Sequence, residues 1–305
     1  MRTIDRAIAG FLPYLPKALV GRVAARYIAG ETVEDALRVA RDLNGKGFRA
    51  TMDILGEDVH SLDQARGAAL TYRTLLDHLY RNKIDSNVSV KLTQLGLKVD
   101  KRECLELAES VVVRARDLGN FVRLDMEDSS CTTDTLEIYA ELRRRHVNVG
   151  VVIQAYLHRT ADDVARLIDL RPNFRLCKGV YVEPETISWH DMKEINRNYL
   201  RVLERLLRSR MYVGIATHDE HIVNEAQRLI AELRVPPTAY EFQMLLGVTE
   251  SLRTRIRSAG HPLRVYIPFG RDWYAYSVRR LRENPRLAGY VLKAMVREIG
   301  NPTSK

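Results

Sequence analysis

Cysteine is scarce in this chain: Cys104, Cys131 and Cys177 are the only three in 305 residues, and none forms a CxxC pair. That spacing excludes a disulfide framework and a structural zinc site, and it suits a reducing compartment. Long apolar runs are missing too, with nothing approaching the roughly 20 residues that a membrane-spanning helix requires. The N-terminal stretch MRTIDRAIAGFLPYLPKALVG breaks its modest hydrophobicity with Asp5, two prolines and Lys17. It therefore reads as mature protein, neither spanning nor secreted. No GxGxxG turn occurs, which removes the usual signature of a doubly wound dinucleotide fold. The first strand-like run also lacks the HxH of metal-dependent barrel hydrolases, and no metal site is expected.

Basic residues, by contrast, are in surplus: 48 Lys and Arg against 39 Asp and Glu give a net charge of +9. Acids and bases interleave along helix-like segments, so a charged solvent face is the default reading. A nucleic acid or an anionic membrane are the partners such a surplus would suit. With 46% apolar residues the chain can bury a sizeable core, either as two domains or as one large α/β unit.

Eight short β-type runs recur, each followed by a segment of helical period. They are FRATMDIL (48–55), NVSVKLT (87–93), FVRLDME (121–127), NVGVVIQAY (148–156), FRLCKGVY (174–181), MYVGIATHD (211–219), AYEFQML (239–245) and LRVYIPF (263–269). Their starts lie 24 to 39 residues apart, the length of a strand plus a returning helix. Eight such units predict an α/β fold, a (βα)8 TIM-type barrel. Helix starts are legible at Ser61-x-x-Gln64, a capping-box pattern, and at Thr160 in TADDVARLIDL. Residues 1–45 read as an N-terminal helical extension and 46–305 as the barrel, with no low-complexity linker between them.

Barrel sites lie at the C-terminal ends of the strands. There the sequence delivers Asp53 and Glu57; Lys91; Asp125, Glu127 and Asp128; Gln154 and Tyr156; Arg175, Lys178 and Tyr181; Thr217, His218 and Asp219; Glu241, Gln243 and Leu245; and Tyr266. Charge recurring at one pole implies a large polar site, because buried charge is costly unless paired or bound. Several of these residues also have plain structural readings. Lys91 and Asp125 would make an ion pair in the barrel mouth, His218 a satisfied core histidine, and Cys177 a small buried side chain. Lys91 or Lys178 would alternatively serve as a Schiff-base nucleophile in a flavin-free lyase or aldolase. Near the chain's end, Tyr276, Arg279, Arg280 and Glu283 share one helical face. That face suits either a solvated surface or an anion clamp.

Taken together, SVKLTQLG, RLDMED, QAYLHRT, RLCKGVY, ATHD, YEFQMLLG, VYIPFG and YSVRRLREN resemble flavin-dependent proline dehydrogenase in content and order, over residues 50 to 285. The resemblance implies a distorted barrel that binds FAD non-covalently and oxidises L-proline to Δ1-pyrroline-5-carboxylate by hydride transfer to flavin N5. By motif, Arg279, Arg280 and Lys91 would grip the substrate carboxylate. Glu283, Tyr276, Tyr266, Tyr181 and Leu245 would shape the pocket around the ring, and Asp125 would orient Lys91. Gln154, Arg175, Lys178, Thr217 and His218 match cofactor-contacting positions, with Arg175 stabilising the electron-rich reduced ring. Glu57 would pair with one of the arginines as a gate. One departure is Val182, where some relatives carry a large aromatic. The resemblance further implies a monofunctional cytoplasmic enzyme that passes electrons to a membrane quinone. Peripheral membrane contact is one use for the N-terminal helices, and covering the barrel's bottom is another.

Overall fold

In the computed structural model, which describes residues 26–56, 58–274 and 277, all eight runs become strands in the expected order. They are β1 (Arg49–Ile54), β2 (Ser86–Val90), β3 (Val122–Leu124), β4 (Val149–Gln154), β5 (Asn173–Cys177), β6 (Tyr212–Ala216), β7 (Tyr240–Leu245) and β8 (Leu263–Phe269). Each pairs in parallel with its sequence neighbour, and β1 pairs with β8, so the sheet closes into a barrel. Among the described residues, helices α1 (Val33–Gly45), α2 (Leu62–Arg81), α3 (Lys101–Asp117), α4 (Ser129–Arg145), α5 (Thr160–Leu167), α6 (Met192–Arg208), α7 (Glu220–Glu232) and α8 (Glu250–Ser258) surround it. None of them is long and apolar enough to cross a membrane.

Strand alternation divides the buried residues into two sets. Ala50, Met52, Val88, Val90, Phe174, Leu176, Phe242 and Met244 join the helices in one apolar core. Their alternates Thr51, Asp53, Ser89, Arg123, Arg175, Glu241, Gln243 and Arg264 are buried polar groups. Thr51 meets Ser89, Arg175, Gln243, Glu241 and Arg264 form one hydrogen-bonded chain, Asp53 takes Lys91, and Arg123 takes Asn173 and Val151 O. Glycine makes room for them. A Cβ at Gly150 would meet the Arg123 guanidinium, and one at Gly214 would lie 2.5 Å from Gln243 Nε2.

The helix starts are local chemistry. Thr32 and Asp35 form a reciprocal capping box ahead of α1. At Ser61 the box is half made: Ser61 Oγ accepts from Gln64 N at 3.3 Å, but the Gln64 side chain accepts from His60 N. Thr160 departs from its expected role as a cap. Its hydroxyl donates to Gln154 O at 2.5 Å, and α5 starts without a side-chain cap.

The segment before α1 lies at the C-terminal pole of the barrel. Ala29 N donates to Pro268 O at 2.9 Å and Gly270 N to Gly30 O at 3.0 Å, both at the C-terminal end of β8. Residues 26–31 thus strap that end, and α1 returns toward the start of β1, sharing its core through Ala36, Leu37, Ala40 and Leu43. Residues 1–25, the rest of the expected extension, lie outside the described residues.

Candidate active site

Several strands end earlier than their apolar runs. β2 stops at Val90 and β3 at Leu124, so Lys91 and Asp125 are the first residues past the ladder and face the barrel mouth. There a cavity of about 390 Å³ is lined by Lys91, Asp125, Gln154, Arg175, Lys178, Tyr181, Thr217, His218, Leu245 and Tyr266. Those ten are all of the expected site residues that fall among the described ones. Glu57, Tyr276, Arg279, Arg280 and Glu283 lie outside them.

Three cations line the cavity, each held by a carboxylate. Lys91 Nζ donates to both oxygens of Asp53, at 2.8 and 2.9 Å. Asp53 is fully buried, and burial lifts its carboxyl above the usual carboxylate range. The Lys91 ammonium pulls the other way, and the nearby Asp125 charge adds to the lift. Arg175 Nη1 donates to Asp125 Oδ1 at 2.8 Å, and the Tyr266 hydroxyl donates to Asp125 Oδ2 at 2.8 Å. The Arg175 guanidinium also lies 5.3 Å from the centroid of the Tyr266 ring, within cation–π range. The carboxylate that orients Lys91 is therefore Asp53, while Asp125 orients Arg175 and Tyr266. Asp53 was visible in the sequence at a strand end but carried no role there. Its inward parity with Thr51 on β1 is the signal that points to the mouth.

The remaining wall residues are similarly fixed. Lys178 Nζ pairs with Asp219 at 2.6 Å, and Asp219 also caps α7 through His221 N. Burial would raise the Asp219 carboxyl, but its bonds to Lys178, His221 and Asn196 hold it below the usual range. Leu245 N donates to His218 Nε2 at 2.9 Å. A backbone N–H can only donate, so this bond puts the imidazole proton on Nδ1. Gln154 Nε2 donates to Glu127 O, and its buried Oε1 has no hydrogen-bond partner among the described residues.

The acids expected together after β3 separate. Asp125 enters the cavity, Glu127 is buried and accepts from Thr93 N and Oγ1, and Asp128 caps α4 through Ser130 N. Cys177 is half-buried on the cavity wall. Val182 is fully exposed. Trp273 packs with Ile28 and Leu55 and donates its indole N–H to Glu31 at 2.7 Å. The chain ahead of Arg279 is thereby tied to the strap at the mouth.

A closed parallel barrel with cations and an acceptor unpaired among the described residues gathered at its C-terminal pole has the build of a barrel enzyme acting on an anionic ligand. Comparison with known proteins narrows this. Residues 36–291 match the family model "Proline dehydrogenase". Proline dehydrogenase 1 of Bacillus subtilis subsp. natto is 35% identical over 275 residues, covering 90% of this chain and 91% of that one. Proline dehydrogenase of Deinococcus radiodurans is 36% identical over 290 residues, 93% of each. Among solved structures, proline utilization A from Bdellovibrio bacteriovorus, inactivated by N-propargylglycine, matches with a TM-score of 0.80 at 29% identity. That match covers 86% of this chain, which spans 32% of the longer protein. The chain belongs to the proline dehydrogenase family, whose members are oxidoreductases.

Proposed function

We propose that this protein oxidises L-proline to Δ1-pyrroline-5-carboxylate in proline catabolism, using FAD seated at the barrel mouth. One observation carries the reading: the cavity presents a buried ammonium, a guanidinium with a spare donor, and an unpaired buried acceptor. Among the described residues Arg175 Nη2 has no hydrogen-bond partner, and neither does Gln154 Oε1. An isoalloxazine ring offers acceptors and an N–H donor along one edge, so the donor set fits the group. Arg175, Gln154, Lys178, Thr217 and His218 would hold it. When bound, FAD supplies the two-electron acceptor, taking a hydride at N5.

Lys91, with Arg279 and Arg280, would hold the proline carboxylate. Asp53 holds the Lys91 Nζ through both carboxylate oxygens, so the substrate would meet a prearranged donor. Tyr266, Tyr181 and Leu245 would wall the ring, joined by Tyr276 and Glu283, and exclude water from the reacting C–H. Glu57 would pair with one of the arginines and close the pocket.

A Schiff-base lyase needs a neutral lysine. Both candidates instead sit against carboxylates, Lys91 on Asp53 and Lys178 on Asp219, which engage the nitrogen that would have to attack. Many surface bases are likewise committed to ion pairs one helical turn away, among them Arg38–Asp35, Arg208–Glu204 and Arg228–Glu232. This dilutes the basic patch that a nucleic-acid reading requires.

A membrane quinone is the proposed electron acceptor, reached by peripheral contact at the inner face of the membrane. Flotation with anionic liposomes at low salt tests that contact, and protein left in solution would remove it. The first experiment is the visible spectrum of the purified protein before and after anaerobic addition of L-proline. An oxidised flavin band at roughly 450 nm that bleaches is the expected result. A band that proline leaves unchanged refutes the substrate, and a colourless protein that cannot be reconstituted with FAD refutes the cofactor.

A further inference from the structure

A chain of buried polar side chains reaches the cavity from the opposite pole, and three of its members, Arg264, Glu241 and Gln243, have no part in the function proposed above. Arg264 Nε donates to Glu241 Oε1 at 2.6 Å, and Gln243 Nε2 donates to the same oxygen at 2.7 Å. Gln243 Oε1 then accepts from Arg175 Nε at 2.5 Å. All four residues are buried.

The order of donors is forced. Burial alone would raise the Glu241 carboxyl, but Arg264, the Gln243 amide and the Arg49 charge together outweigh it and bring the value down to about 2. An ionised carboxylate only accepts, so the Gln243 amide has one orientation, NH2 toward Glu241 and carbonyl oxygen toward Arg175. With Nε held there and Nη1 on Asp125, the plane of the guanidinium is fixed at two points. A second observation supports a dedicated seat: β6 has no side chain at Gly214, where a Cβ would lie 2.5 Å from Gln243 Nε2.

We infer that Gln243 is a positioning residue that sets the direction of the Arg175 guanidinium in the cavity, itself aligned by the Arg264–Glu241 ion pair and seated against Gly214. The inference rests on the flavin reading, in which Arg175 faces the cofactor and stabilises its reduced form.

The test measures FAD dissociation constant and flavin midpoint potential for the wild type, Q243M, G214A, R175K and the double variant Q243M/R175K. Q243M removes the acceptor at similar volume, and its potential is expected to move negative while FAD affinity falls about 10-fold, the loss of one charge-assisted bond. G214A keeps every hydrogen-bonding group but displaces the amide, so it should shift both quantities in the same direction. In the double variant, Q243M should add nothing to R175K, because lysine lacks the Nε–H that Gln243 holds. A wild-type potential in Q243M, or additive shifts in the double variant, would overturn the inference. If Q243M does not fold, G214A decides it by the same readouts. A wild type that binds no FAD removes the flavin reading and this inference together, whereas normal wild-type binding with an unmoved Q243M removes the inference alone.

Discussion

Asp125 accepts from two cavity-lining side chains at once, Arg175 on one oxygen and Tyr266 on the other, each at 2.8 Å. This carboxylate spans the mouth between β5 and β8, the strands that carry those side chains. In D125N one oxygen becomes an NH2 that faces a donor. The variant should retain the barrel and lose roughly 10- to 100-fold in kcat/KM for proline, the range for one or two charge-assisted bonds. Steady-state kinetics with an artificial electron acceptor, alongside circular dichroism, checks this. Wild-type kinetics in a folded D125N would refute it.

Lys91 and Asp53 form a second buried pair at the mouth. K91M should raise the KM for proline about 10- to 100-fold, while the flavin spectrum stays as in the wild type. It should also cost roughly 3–5 kcal/mol of stability, because Asp53 is left buried without its partner. Urea unfolding and a proline titration separate the two effects. An unchanged KM would take Lys91 out of the carboxylate clamp.

Acid stability should report on Glu241. Its folded carboxyl is lowered from 4.5 to about 2, so the folded state favours the ionised form more than the unfolded state does. That contribution is present above the unfolded value and is lost as pH falls from about 4.5 through about 2. Integrated over that window it is on the order of 3 kcal/mol. Denaturant midpoints across the pH series should fall in this range for the wild type and fall less steeply for E241Q.

Gly247 has φ +72°, and a Cβ there would lie 1.8 Å from Arg26 O. G247A combines left-handed strain with a backbone clash, so the strap of residues 26–31 must shift. A loss of about 1–3 kcal/mol and earlier protease cleavage within the strap are expected. Wild-type protease resistance would show that the strap tolerates displacement.

Much of the architecture was legible because it is written in local periods. Alternation along FRLCKGVY or AYEFQML places one side chain in two toward the helices, whatever the neighbouring strand is. The spacing of the eight runs then leaves room for one returning helix each. Strand ends were overextended at β2 and β3, since Lys91 and Asp125 continue an extended-looking run while leaving the ladder. Thr160 looked like a cap, but its hydroxyl found the Gln154 carbonyl at the end of β4, a partner no local pattern announces.

The sequence by itself determined which side chains could meet: residues at the C-terminal ends of eight parallel strands converge on one pole by connectivity alone, and their types predicted a cation-lined polar mouth. Only the tertiary structure decided which of them pair. Lys91 took Asp53 from β1 rather than Asp125 from the end of β3, and Arg175 took Asp125 and Gln243 from strands that are not its neighbours. Those choices depend on barrel tilt, register and the room left by Gly214. A hydrogen bond forms within a few tenths of an ångström of its ideal distance or hardly at all, and sequence spacing does not specify position across a closed barrel to that precision.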